Sequence, residues 1–184
     1  MSRRLRRAAP HALATALGLA IAASGAAAQT IAMGYGEYES ISRSSIGVAF
    51  ASPWAGRKWN ADWSVRWNVD AAYWHSREQG SHDHQSLWDL GVTPSLIVRG
   101  DRTALGYPFA EIGAGVHVLS NTSIGTRYLG SSFQFGEFLG AGFEFGERRE
   151  WAVSARVLHE SNAGINEPNN GLTVFVLNLS YRLQ

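Results

Sequence analysis

A histidine and a serine two residues apart, His159 and Ser161, are the residues of this sequence whose types and spacing suggest chemistry. They end a segment, 151–161, in which apolar and polar residues alternate as in a β-strand. Side chains at positions i and i+2 of a strand share a face, so the imidazole and the hydroxyl lie side by side. An imidazole placed there can take the hydroxyl proton and make the oxygen a nucleophile. The pair therefore indicates a serine esterase site.

The same alternation runs along the rest of the chain and predicts the elements that must hold this pair. In segment 61–74, Trp63 and Trp67 lie on one face, while Asp62, Arg66 and Asp70 lie on the other. A charged face opposite an aromatic face favours a polar lumen and a lipid-facing outside. Together the segments predict an all-β fold, an eight-stranded antiparallel transmembrane β-barrel. Its strands would be 30–39, 43–51, 61–74, 86–99, 107–119, 131–146, 151–161 and 173–183.

Strand parity puts His159 and Ser161 on the apolar face that carries Val153 and Val157. That face is the outside of the predicted barrel, so the pair would meet lipid rather than the lumen. One interpretation is an esterase site placed where acyl chains already lie. The alternative is that His159 and Ser161 are simply polar side chains at the membrane interface, near the lipid headgroups. Glu160 has the opposite parity and is expected inside the barrel, paired with a lumen arginine such as Arg66 or Arg156.

The N-terminal segment 1–28 has the features of a secretory signal peptide. A basic start from Arg3 to Arg7 precedes an apolar stretch and the small residues Ala26 to Ala28. We therefore expect one domain, residues 29–184. Removing the four arginines of the signal leaves 12 basic and 15 acidic residues, a formal charge of −3. This balance gives no reason to expect a nucleic-acid partner.

Metal sites and cofactors are not predicted from these residues. There is no cysteine, which excludes disulfides and thiolate metal sites. A histidine-rich segment carries His75, His82 and His84, but without a fixed ligand spacing. We interpret it as a solvated external loop.

The run His159-Glu160-Ser161-Asn162-Ala163-Gly164, followed by 167–171 (EPNNG), resembles the lipid A 3-O-deacylase (PagL-type) family. The signal peptide and the eight-strand pattern extend the resemblance over the mature chain. It implies a bacterial outer-membrane enzyme that hydrolyses the 3-O-acyl ester of lipid A in lipopolysaccharide. By the same resemblance, Ser161 is the nucleophile and His159 is the base. Asn162 and Gly164 would shape the oxyanion site.

One position departs from the family pattern. The resemblance implies a triad acid twelve residues after the serine, and here that residue is Thr173. A threonine carries no charge, although a neutral group can still fix the tautomer of a histidine. If the sixth and seventh strands pair around Arg148, the numbers of paired residues sum to 296, and Glu137 faces His159. We hypothesise that Glu137 orients His159, the alternative being a bulge near Gly136 that turns Glu137 into the lumen.

Two other classes of protein remain open at this point. The first is a non-catalytic outer-membrane barrel, structural or adhesive, that retains the motif without the acid. The second is a soluble lipocalin-like barrel, which the charged strand faces disfavour. Acyl-chain preference and the oligomeric state, including a homodimer, stay open as well.

Overall fold

The computed structural model of the chain describes residues 29–78 and 84–183. The predicted signal peptide, 1–28, lies outside the described residues. Eight long strands form a closed antiparallel barrel in which each pairs with its neighbours along the chain and the first pairs with the last. These are β1 (Thr30–Tyr38), β2 (Ile41–Lys58), β3 (Ala61–Ser76), β4 (Ser86–Arg99), β5 (Tyr107–Leu119), β8 (Phe133–Phe145), β9 (Trp151–Ser161) and β10 (Leu172–Arg182). Two short strands, β6 (Ser123–Ile124) and β7 (Arg127–Tyr128), pair within the loop between β5 and β8.

The two faces of the barrel wall differ as the alternation predicts. Large apolar side chains such as Met33, Ile46 and Leu139 are exposed on the outside. Charged and polar side chains such as Glu111 and Gln134 are buried inside. An apolar outside around a polar interior is the arrangement of a transmembrane barrel. The predicted fold class is therefore confirmed, and the lipocalin-like alternative, which needs an apolar interior, is wrong.

Ion pairs line the barrel interior, but Glu160 is not paired with Arg66 or Arg156. Arg156 and Arg66 both bind Glu111, through contacts of 2.6 and 2.8 Å. Glu160 lies on the same wall nearer the loops, beside Arg43 and His117. The inward orientation and a lumen arginine as neighbour are confirmed, but the arginine is Arg43, because parity gives the face of a residue but not its height or its neighbours on other strands.

Segment 52–60, which separates the predicted strands 43–51 and 61–74, is mostly strand. β2 continues to Lys58, and the turn shrinks to Trp59 and Asn60, which have φ angles of 52° and 59°. The pairing of β2 with β3 is interrupted between Ala51 and Ala55. A bulge of this kind accommodates Pro53, which has no backbone N–H for the ladder, without ending the strand.

Among the described residues, no helix is long and apolar enough to cross a membrane.

At the end of the barrel where β9 stops, buried apolar side chains fill the interior beneath the loops. They include Trp74, Leu87, Ile124, Leu129 and Leu172. This packing anchors the loops that surround His159 and Ser161.

Candidate active site on the outer wall

The strands on either side of His159 present one residue each to it. On β8 the partner is Glu137, and on β10 it is Thr173. Paired residues of β8 and β9 sum to 296 from Phe145–Trp151 to Phe135–Ser161, as predicted. Gly136 pairs in sequence with Glu160, so the bulge that would turn Glu137 into the lumen is absent.

His159 and Ser161 both lie half-buried at the end of β9. Their neighbours of the same parity, Val153 and Val157, are exposed, whereas Leu158 and Glu160 are buried. The structure thus places the pair on the outer, lipid-facing wall. A reacting group can approach it from the membrane without entering the barrel.

The imidazole of His159 is held by a hydroxyl. His159 Nδ1 lies 2.8 Å from Thr173 Oγ1, within hydrogen-bond distance. If Nδ1 carries the proton and donates it to Thr173, Nε2 is left with its lone pair, as a general base requires. Glu137 is exposed on the same wall and makes no hydrogen bond to His159. The group hydrogen-bonded to the imidazole is therefore the threonine and not the carboxylate.

Ser161 is next to His159 on the face but is not hydrogen-bonded to it within residues 29–78 and 84–183. Side chains two residues apart on an extended strand are separated by nearly 7 Å at their bases, or about twice the 3.3 Å rise per residue. The two rotamers must lean toward each other to form the nucleophile–base contact. Such contacts are often loose without substrate and tighten when it binds.

Gly171, just before β10, packs against the imidazole of His159. A Cβ built on it would lie 2.9 Å from His159 Cε1 and 3.4 Å from Nε2. The residue also has a φ of 63°, in the left-handed region that favours glycine. Gly171 was not among the predicted site residues, although it ends the EPNNG run. Only the fold brings it back onto β9.

Asn162 is fully buried and organises the loop that follows the serine. Its Nδ2 donates to Leu129 O at 2.9 Å and to Asn166 O at 2.8 Å, and its Oδ1 accepts from Gly164 N at 2.9 Å. The backbone N–H of Asn162 donates to Asn169 Oδ1. The two residues predicted to shape the oxyanion site thus already bind each other.

The backbone N–H of Ala163 lies between those two residues in the chain. It has no acceptor within the part of the chain that the structure describes. Ala163 and Gly164 have φ angles of 54° and 76°. Both angles lie in the left-handed region, and two successive residues with such angles form a tight turn whose N–H groups can bind an anion.

Contacts between loops support this turn. The backbone N–H of Asn170 donates to the carbonyl oxygen of Tyr128, and the backbone N–H of Tyr128 donates to Asn170 Oδ1, each at 2.9 Å. Glu78 accepts hydrogen bonds from Ser40 and Thr126, which hold the pKa of its carboxyl below the ordinary value. The loops at this end of the barrel therefore form one connected layer.

An apolar groove runs along the outer wall between β8, β9 and β10. Ala155, a small residue, forms its floor, and larger apolar side chains border it. The groove lies on the same face as His159, four residues away along β9. Its lining includes Leu139, Val157, Phe175 and Leu177.

Comparisons with known proteins agree with this architecture. A family model described as lipid A 3-O-deacylase (PagL) matches residues 44–182. The lipid A deacylase PagL of Pseudomonas aeruginosa is 30% identical over 113 residues, 60% of each chain. That of Bordetella bronchiseptica is 31% identical over 115 residues, 62% of this chain and 60% of the relative. The aligned part thus spans about 60% of the length of each curated relative.

A solved structure described as the outer membrane enzyme PagL superimposes with a TM-score of 0.72. The match covers 84% of this chain and 99% of that one, at 24% sequence identity. At this identity the likeness supports the fold: an eight-stranded barrel of similar size.

Proposed function

Because the chain belongs to the lipid A 3-O-deacylase family and forms an outer-membrane β-barrel, we propose that it is a serine esterase. Its substrate would be lipid A, and it would remove the acyl chain esterified at position 3. The observation that carries the proposal is the bond from His159 Nδ1 to Thr173. With Nδ1 as the donor in this bond, Nε2 is the basic atom on the face that Ser161 shares.

The outer wall supports a substrate with long acyl chains. The groove floored by Ala155 is bordered by apolar side chains on three strands. An acyl chain lying there would stay in an apolar environment while its ester reaches the end of β9. Substrate and enzyme would then meet without the lipid leaving the membrane.

In the first half of the reaction, His159 Nε2 takes the proton of Ser161 as Oγ attacks the ester carbonyl carbon. The tetrahedral intermediate collapses, and the bond from that carbon to the sugar oxygen breaks. His159 returns the proton to the departing sugar oxygen. The acyl group is left on Ser161.

In the second half, water attacks the acyl-enzyme with His159 again as the base. Ser161 is released, and the products are a free fatty acid and lipid A with a 3-hydroxyl. No cofactor takes part in either half.

The turn after the serine is the proposed oxyanion site. The Ala163 N–H is free to donate, and the Gly164 N–H can join it if its bond to Asn162 Oδ1 is shared. Donors fixed in place before the reaction stabilise the developing charge without reorganising. Asn162 itself would act by holding the turn, since both its amide hydrogens are already bonded.

Two residues would together replace the missing triad acid. Thr173 fixes the tautomer of His159, and Glu137 supplies negative charge from the neighbouring strand. Directly opposed residues on antiparallel strands have Cβ atoms about 5 Å apart, so the carboxylate is close to the imidazolium that forms. At the edge of a bilayer such a charge is screened less than in water.

A second candidate function is favoured by one observation. Thr173 occupies the position where the family motif has an acid, as in a barrel that has lost activity and keeps only a structural role. In that case Ser161 and His159 are polar residues at the membrane surface.

Mass spectrometry of lipid A separates the two functions. The full-length protein is expressed in cells whose lipid A carries a 3-O-acyl chain, beside Ser161→Ala and the external-loop variant Glu167→Gln. We expect the wild type and Glu167→Gln to remove one ester-linked acyl chain and Ser161→Ala to leave it. Unchanged lipid A with a folded wild-type barrel would contradict the esterase.

A further inference from the structure

Three buried side chains meet inside the barrel behind the proposed active site. Asp89 on β4, His117 on β5 and Glu160 on β9 are 3%, 2% and 0% exposed. One ligand atom from each lies within 4.8 Å of the other two. Glu160 comes between His159 and Ser161 in the chain but points to the opposite face. The cluster is therefore separated from the proposed catalytic pair by the barrel wall.

The hydrogen bonds of His117 indicate which of its nitrogen atoms faces the cluster. Nε2 lies 3.4 Å from Thr93 Oγ1, and Nδ1 lies 3.0 Å from Asp89 Oδ1 and 3.4 Å from Glu160 Oε1. If Nε2 holds the proton and donates it to Thr93, the Nδ1 lone pair points at two carboxylates. A histidine that ligates a metal through one nitrogen usually donates its other N–H in this way.

The imidazole ring of His117 is also held in place by its packing. Gly91 and Gly136 lie against it, and a Cβ on either residue would collide with ring atoms. These glycines come from the strands on either side of β5. A ring confined in this way is a preorganised ligand.

Glu160 lacks a partner that its burial requires. Both of its carboxylate oxygens are buried, and neither accepts a hydrogen bond from the described residues. A buried carboxylate without such partners is strongly disfavoured unless a proton or a cation neutralises it. The nearest cations are Arg43, whose Nε is 3.9 Å away, and His117 if it is protonated.

The charges around the cluster do not balance without a further cation. Asp70, Asp89 and Glu160 contribute three negative charges. Arg43 contributes one positive charge and binds Asp70 and Asp89 Oδ2. With His117 neutral, the buried group has a net charge of −2. One divalent cation brings it to zero.

We propose that Asp89, His117 and Glu160 bind a divalent metal ion, with Zn²⁺ the best match. A tetrahedral Zn²⁺ site with bonds of about 2.1 Å has ligand atoms roughly 3.4 Å apart. The contacts of 3.0 and 3.4 Å from His117 Nδ1 to the two carboxylates fit these edges. One imidazole and two carboxylates form a donor set that Zn²⁺ accepts, with water as the fourth ligand. The bound ion would tie β4, β5 and β9 together behind the catalytic pair.

The outer contacts of the ligands fit this assignment. Arg43 and Trp74 Nε1 both lie within 3.4 Å of Asp89 Oδ2, which leaves Oδ1 for the ion. An internal cavity lined by Arg43, Asp70, Thr93 and His117 leads to the cluster.

The competing arrangement has a proton in place of the metal. His117 would then be an imidazolium between Asp89 and Glu160, and the group would bind no ion. Equilibrium dialysis against Zn²⁺ distinguishes the two arrangements. The protein used is the mature barrel, residues 29–184, in detergent micelles after treatment with a chelator. Gel mobility before and after heating reports whether each variant is folded.

We expect the wild type to bind one Zn²⁺ per barrel and Glu160→Gln to bind it at least tenfold more weakly. The histidines of the predicted external loop are a competing site, so a triple variant with alanine at His75, His82 and His84 must retain the ion. Glu167→Gln, which also loses one carboxylate, is the matched control and must retain the Zn²⁺ ion. Equal Zn²⁺ binding by the wild type and Glu160→Gln, or none by the wild type, would overturn the proposal.

Co²⁺ gives a measurement that needs no cluster variant to fold. Added to the chelator-treated triple histidine variant, it should produce the visible absorption bands of a four-coordinate ion, and Zn²⁺ should abolish them. A spectrum identical to that of hexahydrated Co²⁺ would place no protein ligands on the ion and would equally overturn the proposal.

Discussion

His159 Nδ1 and Thr173 Oγ1 lie 2.8 Å apart across β9 and β10. A neutral hydroxyl thus stands at the position where the resemblance to the family implies an acid. It can select the tautomer of the imidazole but cannot stabilise the positive charge that forms as the serine loses its proton. Substitutions at Thr173 and at Glu137 separate these two contributions.

Replacing Thr173 tests whether its hydroxyl selects the tautomer of His159. Thr173→Val removes the hydroxyl at nearly constant volume and should lower kcat by about 10- to 100-fold, or roughly 1.4 to 2.7 kcal/mol. Thr173→Glu restores a charge and should raise kcat about tenfold for the same reason. Steady-state hydrolysis of purified lipid A in mixed micelles measures both. Equal rates for the wild type and Thr173→Val would refute the role of the hydroxyl.

Glu137 should contribute charge without a hydrogen bond. Glu137→Gln keeps the shape of the side chain and should lower kcat about tenfold while KM changes little, because the imidazolium forms only during reaction. Glu167→Gln, which removes an exposed carboxylate from the external loop, is the matched control. Identical kcat values for the two variants would show that Glu137 has no catalytic effect.

Gly171 should control the position of the imidazole. Gly171→Ala places a methyl group 2.9 Å from His159 Cε1 and adds backbone strain at a φ of 63°. We expect at least a tenfold loss of activity in a barrel that still folds, as seen by its gel mobility before and after heating. A fully active Gly171→Ala variant would mean that the ring position is not critical.

Asn162 should stabilise the loop layer. Asn162→Ala removes the donor to Asn166 O and one of the donors to Leu129 O, and it leaves the Gly164 N–H without its acceptor, at a cost of about 1–3 kcal/mol. Limited proteolysis should cut the loop between β9 and β10 faster than in the wild type. Asn121→Ala is the control, because Asn121 makes no side-chain hydrogen bond to any described residue. Equal cleavage rates for the two variants would count against this role.

The loop layer should loosen at acidic pH. The hydrogen bonds from Ser40 and Thr126 lower the pKa of Glu78, so they stabilise the folded loops above the unfolded pKa. That contribution is lost as the pH falls through the folded value. The protection factors of loop amides, which correct for the intrinsic pH dependence of hydrogen exchange, should therefore fall on acidification in the wild type and depend less on pH in Glu78→Gln. The same pH dependence in both proteins would assign the effect to another group.

The sequence by itself determined which face of each strand meets lipid and which meets the lumen. Side chains on a strand alternate with a period of two, so local composition is enough to assign a face. It also determined the register of β8 and β9, including Glu137 opposite His159, because the connection between them is short and its centre could be recognised. The same local signal placed His159 and Ser161 on the outer wall.

Only the tertiary structure decided the contacts between distant segments. The loop from Asn162 to Gly171 is too long to transmit register, so the bond between His159 and Thr173 could not be derived from spacing. The pairing of Asn162 with Leu129, and the meeting of Asp89, His117 and Glu160, depend on how the barrel closes. Closure brings together residues far apart in the chain, and no periodic pattern records which of them meet at one height inside the barrel.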